Sequence, residues 1–291
     1  MSQTTAAIPT RVLVLGMAHE DGTIDAAELL PVAEACGQTA EQLRSCLRRL
    51  MAEGLFERDG AGRTARYRAT ERGLRALSGD LDRTRLAYAQ DFEGRGWDGQ
   101  WRLVAVAVPE RRRSSRDAFR EQLRALGGAP IQGGLYVSPH DWHRAVVAHA
   151  ERVGVADGLT LATTAELVVG GERDPRELAR ALWPVAALAK QYEEFVARYT
   201  PVVDYLLGMR ARHQHMADTV FLPGALGMAV EYQECFRDDP LLPPDLLPRP
   251  WPGRAARDLI LRTRRMALNL RTSAGRPALF RTFDDAIDSL R

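Results

Sequence analysis

Residues 39–70 constrain the fold of this chain more than any other stretch. Thr39-Ala40-Glu41-Gln42 has the form of a capping box, in which a threonine hydroxyl and a glutamine side chain each satisfy the other's backbone amide at a helix start. Leu43, Leu47, Leu50 and Met51 follow at the spacing of one helical face, and Gly54 is a natural stop. Two short strands are then expected, at 55–58 and 66–70, around the turn Asp59-Gly60-Ala61-Gly62-Arg63. Upstream, residues 11–18 (RVLVLGMA) and 25–36 (DAAELLPVAEAC) fit two further helices, the second with Pro31 as a flaw. Three helices followed by a basic hairpin is the plan of a winged helix-turn-helix. In that plan the third helix enters the major groove of duplex DNA, and the wing touches backbone or minor groove.

Charge sharpens the expectation. The chain as a whole carries only +2, yet residues 40–75 hold nine arginines against five acids, a local net of +4. Lys190 is the only lysine, so GC-rich coding explains the general arginine bias; a guanidinium fork suited to phosphates and guanine edges matters only where arginines cluster. Gln42, Arg44, Ser45, Arg48 and Arg49 fall outside the apolar stripe of the third helix. With Thr39 at its start and Arg58, Arg63, Arg66 and Arg68 on the hairpin, they form the expected DNA-facing set. A solvated arginine face on an ordinary packed helix is the plainer alternative.

The remaining chain reads as an α+β, multidomain protein. Thr70-Glu71-Arg72-Gly73 opens a further helix, and residues 82–92 look like a helical linker. A second unit starts at Trp97. It holds a buried strand at 101–108 (WRLVAVAV), a helix at 115–126, a strand at 134–138 (GLYVS), a helix at 141–153 and strand material at 159–169. That β-α-β-α-β order, with room for one more strand, suggests a ferredoxin-like sheet with helices on one face. From Asp174 onward the pattern is helical, interrupted by six prolines within 239–253. The expected organisation is a winged-helix domain at 1–80, a linker at 81–94, a ferredoxin-like domain at 95–172 and a helical domain at 173–291.

Several chemistries have no support. Residues 1–9 lack the order of a secretory signal, and no apolar run reaches the length of a membrane span. Cys36, Cys46 and Cys235 are odd in number with no CxxC spacing, which suits reduced thiols in a cytoplasmic protein. His213 and His215 are two apart and diverge on a helix; His140 and His143 flank Trp142 as surface residues. No metal site or cofactor is expected. A metal-dependent nuclease on the ferredoxin-like domain would want a carboxylate at the end of the first strand. Glu110 stands there, but Arg111, Arg112 and Arg113 follow it. An effector-independent DNA-binding protein is the third possibility.

With these pieces placed, the chain resembles the PaaX family of bacterial repressors. The likeness is carried by residues 47–55 with the wing at 62–70, by Trp97-Asp98-Gly99-Gln100-Trp101, and by Asp239-Pro240-Leu241-Leu242-Pro243 through Leu246-Leu247-Pro248 to Trp251-Pro252-Gly253. The resemblance implies a dimeric repressor with a winged-helix head, a ferredoxin-like middle domain similar to small CRISPR adaptation proteins, and a helical C-terminal domain. It also implies release from an operator by an acyl-CoA, phenylacetyl-CoA in the best-known members. The wing here, Thr64-Ala65-Arg66, departs from the more serine- and tyrosine-rich run usual in the family, and the Arg111-Arg112-Arg113 turn is expanded.

Such an effector needs cations for its phosphates. Residues 249–276 carry eight arginines against Asp258 alone. Arg254 and Arg257 are the expected anion contacts, and Trp183, Tyr192, Phe195 and Trp251 the expected apolar walls. A plain solvated basic face, or a second DNA contact, accounts for the same arginines.

Overall fold

The computed structural model describes residues 9–271 and 279–282. By contacts the chain divides into two compact units. One takes the chain up to Glu93, Glu194–Glu234 and everything from Arg254; the other takes Gly94–Glu193 and Cys235–Gly253. The late helices are thus shared between units, whereas the segments expected from sequence followed chain order.

The first unit begins with α1 (Thr10–Gly16), β1 (Thr23–Asp25), α2 (Ala26–Ala35) and α3 (Ala40–Ala52). Pro31 sits inside α2 without ending it. Strands β2 (Phe56–Asp59) and β3 (Arg66–Ala69) form the expected hairpin, and β1 adds to the free side of β3, giving an antiparallel sheet of order β1-β3-β2. The helix expected to open at 70–73 and the helical linker expected at 82–92 are one continuous helix, α4 (Glu71–Phe92). Gly73 in its first turn is obligatory in space, because a Cβ there would lie 2.0 Å from the Leu55 carbonyl oxygen.

The second unit builds β4 (Trp101–Val106), α5 (Arg113–Ala125), β5 (Ala129–Gln132), β6 (Leu135–Ser138), α6 (His143–Val153) and β7 (Leu159–Thr164) into a fully antiparallel sheet of order β5-β6-β4-β7. The additional strand for which the sequence left room is β5. Alternation along β4 divides the sheet's two faces. Val104 and Val106 pack with Phe119 and Leu123 of α5 and Val146 of α6. Trp101 on the opposite face packs with Val137, with Leu178 of α7 (Pro175–Leu182) and with Leu242 and Leu246 of the proline-rich segment. Both faces of the sheet are therefore covered.

Three long helices complete the chain: α8 (Val185–Ala211), α9 (Asp218–Arg237) and α10 (Pro252–Leu270). Leu206 of α8, Leu222 and Leu226 of α9 and Leu270 of α10 share one core with Leu13, Leu29 and Leu50 of the first three helices. No helix among the described residues is long and apolar enough to cross a membrane.

Candidate nucleic-acid interface

Helix α3 starts as its sequence demands. Gln42 N donates to Thr39 Oγ1 at 3.2 Å, and Thr39 N donates to Gln42 Oε1 at 2.7 Å. Both side chains are thereby engaged in the cap, so Thr39 and Gln42 fix where α3 begins. Leu43, Cys46, Leu47 and Leu50 are buried. Arg44, Arg48 and Arg49 are exposed and Ser45 is half-buried on the opposite arc. At 3.6 residues per turn, Arg44 and Arg48 lie about 40° apart around the axis, so both point the same way. Among the described residues no carboxylate pairs with Arg44, Arg48 or Arg49. Arg11, by contrast, donates to Glu53 at 2.8 Å, and Arg102, Arg112 and Arg116 are likewise spent on acids.

The hairpin is less cationic than its arginine count suggests. Directly opposed residues of antiparallel strands share a face. Arg66 faces Asp25 on β1 and Asp59 on β2, and Arg68 faces Thr23 and Glu57. Arg66 also pairs with Asp25 at 3.4 Å, while the Asp25 side chain caps α2 by accepting from Ala27 N. Arg58 is exposed and opposes buried Tyr67; Arg63 lies in the turn Gly62–Thr64. Of the arginines whose side chains are described on α3 and the hairpin, Arg44, Arg48 and Arg49 of α3 and Arg58 of β2 therefore have no carboxylate paired or opposite. Strand β1 escaped sequence reasoning because three residues are too few to show an alternation, and with it went the pairing of Asp25 with Arg66.

The residues expected to hold an effector are placed differently. Arg257 Nε donates to Asp91 Oδ2 at 2.6 Å and its Nη2 to Oδ1 at 3.0 Å. The two side chains are only 4% and 8% exposed. Arg257 is thus a buried structural partner of α4 rather than a surface anion contact. Arg271 is similarly buried against Asp218. Arg254 is exposed, and Arg276 lies outside the described residues. Trp183 is buried, stacks on Trp101 and donates from Nε1 to the Gly127 carbonyl at 3.0 Å. Tyr192 is fully buried, donates to Asp239 Oδ2 at 2.7 Å and meets Trp251 edge-on. Phe195 packs on Tyr199 and Tyr232. All but half-buried Trp251 are core residues.

Other candidate chemistry is occupied by structure. Glu110, the carboxylate after β4, accepts from Arg116 at 2.9 Å and lies 4.0 Å from Arg113. No three His, Cys, Asp or Glu side chains among the described residues converge as a metal site requires. Burial pushes the Cys36 thiol up to about 11 and raises that of Cys46, which favours inert thiols. His140 is not a free surface group: its Nε2 lies 2.9 Å from the Pro240 carbonyl oxygen. Two of the segments carrying the resemblance also meet, since Asp245 Oδ2 accepts from Trp97 N at 2.8 Å.

These features define a class: a multidomain α+β chain whose first unit presents an unpaired arginine face on a capped helix. Three family models match it in consecutive stretches: a PaaX-like protein model over residues 10–73, the PaaX protein central Cas2-like domain over 94–179 and the PaaX-like protein C-terminal domain over 183–274. The chain belongs to the PaaX-type family. It is 27% identical over 255 residues to the transcriptional repressor PaaX of Escherichia coli (strain K12), covering 84% of this chain and 74% of that protein. Among solved structures it is similar to an uncharacterized protein, Rv0674, from Mycobacterium tuberculosis. There the TM-score is 0.52 at 21% identity, over 91% of this chain and 90% of the other, a likeness of fold.

Proposed function

We propose that this protein is a sequence-specific DNA-binding transcriptional repressor and not an enzyme. Its head is a winged helix-turn-helix: α3 is the reading helix and the β2–β3 hairpin the wing. Its sheet unit is ferredoxin-like, a reading that the β-α-β-β-α-β order and the strand sequence β5-β6-β4-β7 support. The observation that carries the proposal is the face of α3 on which Arg44 and Arg48, exposed and free of carboxylate partners, flank half-buried Ser45, in a chain related to a repressor. Arginine forks on such a helix suit guanine O6 and N7, while Arg49, Arg58, Arg63 and Arg68 suit phosphate. The protein works as a homodimer, because one reading helix spans too few base pairs for useful specificity.

Regulation by an acyl-CoA effector is part of the same proposal and rests on the family resemblance. Arg254 is the exposed arginine best suited to its phosphates; Arg257 is withdrawn from that role by Asp91. A ligand that releases DNA must prefer a dimer geometry in which the two reading helices no longer match the half-sites. The test is binding to the promoter beside the protein's own gene, with and without acyl-CoA thioesters. Release by a thioester and not by free CoA supports the effector. Tight binding that no thioester disturbs removes the effector and leaves the DNA-binding part standing.

A further inference from the structure

Residues 279–281 belong to the first unit and are keyed into its head residue by residue. Leu279 is fully buried in the core that holds Leu13, Leu29 and Leu50. Phe280 sets its ring against the bare backbone of Gly16 at the end of α1; a Cβ on Gly16 would lie 2.7 Å from the ring. Phe280 N donates to the Gly16 carbonyl at 2.7 Å. Arg281 Nη2 donates to the Met17 carbonyl at 3.2 Å and to Glu28 Oε2 at 2.9 Å. Arg264 of α10 donates to the Leu279 carbonyl oxygen. Phe280 also holds a left-handed backbone, with φ of 60°, which a phenylalanine keeps only where its surroundings dictate it. A segment resting loosely on a surface has no reason to hold that strain.

What the segment grips is the framework around α3. Gly16 ends α1, whose Arg11 reaches Glu53 at the end of α3. Glu28 lies in the first turn of α2. The cap of that helix, Asp25, is the last residue of β1 and pairs with Arg66 of the wing strand β3. His19 Nε2, in the turn between α1 and β1, lies 2.8 Å from Glu28 Oε2. One carboxylate thus joins α2, the turn after α1 and Arg281. We infer that residues 279–281 are a latch fixing α1 and α2 against the wing sheet, so that Phe280 and Arg281 are positioning residues for sequence readout. The inference rests on α3 being the reading helix of the proposed function. Direct readout needs side chains within hydrogen-bond reach of particular base edges, whereas contacts to the repeating phosphates carry no sequence information. Opening the latch therefore erodes selectivity before it erodes general affinity.

Two variants of the full chain open the latch by different routes. Arg281→Gln removes the ion pair with Glu28. Gly16→Ala puts a methyl group where the Phe280 ring sits, while favouring the helix that carries it. Both should keep the wild-type far-UV circular dichroism and salt-dependent binding to a scrambled duplex. Preference for the promoter beside the gene over that duplex should fall by about 2–30-fold in each. Glu28→Gln should act likewise. The double variant Glu28→Gln/Arg281→Gln should lose no more than Glu28→Gln alone, because both changes remove the same bond. Hydrogen exchange, followed without DNA, should quicken at the amides of α1 and α2 in both latch variants. Undiminished preference in Arg281→Gln and Gly16→Ala, additive losses in the double variant, or tighter promoter binding on opening overturns the latch as a positioning device. A wild type that binds no duplex sinks the repressor reading, and exchange alone then decides the latch: faster exchange in α1 and α2 upholds it, and unchanged exchange overturns it.

Discussion

Arg48 and Arg257 carry the same guanidinium into opposite roles, and burial decides which. Arg257 has both faces of its fork on Asp91 in a site nearly closed to water. Removing one member of such a pair strands the other charge, so Arg257→Ala should lower unfolding stability by about 3–5 kcal/mol. Arg254→Ala, less than one turn closer to the helix start and exposed, should stay within about 0.5 kcal/mol. Urea unfolding of both variants checks this, and equal midpoints would show that the Asp91 pair contributes nothing. Arg48, unpaired, should matter to DNA and not to stability. Arg48→Ala should cost about 1–3 kcal/mol at the specific site if it reads a base. Arg68→Ala should do much less, since Glu57 already opposes Arg68 across the strand pair. Titration of one promoter probe with both variants separates these roles, and a larger loss for Arg68→Ala would move the contact from α3 to the wing.

At the scale of elements, α3 is the piece whose formation is most local. Thr39→Ala removes one half of its reciprocal cap and should destabilise the head by about 0.5–2 kcal/mol, with Thr39→Ser close to wild type. Thermal melts of the pair test it; equal losses for both would mean that the methyl group, not the hydroxyl, matters. This helix was legible in the sequence because its cap, its apolar stripe and its glycine stop all lie within sixteen residues of one another. The hairpin and the first strand of the sheet unit were legible for similar reasons. Strand β1 was not, being three residues long, and β5 was masked by Pro130. The apolar stripes of the late helices were readable, but a stripe says that a face is buried and not against what. Leu222 and Leu270 bury against the head, and no local pattern announces that. The site was legible in the same uneven way: the arginines of α3 could be picked out, whereas the removal of Arg257 by Asp91 depends on a partner 166 residues away.

Across the whole molecule, the chain's late residues reach its beginning. Leu279 is fully buried in the core of the head, Phe280 N donates to the Gly16 carbonyl at 2.7 Å, and Arg281 donates to Glu28 Oε2 at 2.9 Å. His19 Nε2 lies 2.8 Å from the same oxygen. Burial alone would raise the Glu28 pKa, but the bonds from Arg281 and His19 outweigh it and hold the carboxyl below its usual value. A carboxylate with a depressed native pKa stabilises the fold above its unfolded value, near about 4.3, and loses that contribution as pH falls through the native value. Glu28→Gln should therefore be less stable than wild type at neutral pH, with the gap closing in acid. A gap that is constant with pH would assign the effect to packing.

The measurement closest to the central claim is the binding of Arg44→Ala/Arg48→Ala to the adjacent promoter and to a scrambled duplex, at two salt concentrations. The wild type should prefer the promoter and weaken with salt, as phosphate contacts require. The double variant should fold normally, bind both duplexes alike and retain only weak, salt-sensitive affinity. A double variant that still selects its promoter as well as the wild type does would contradict the assignment of α3 as the reading helix.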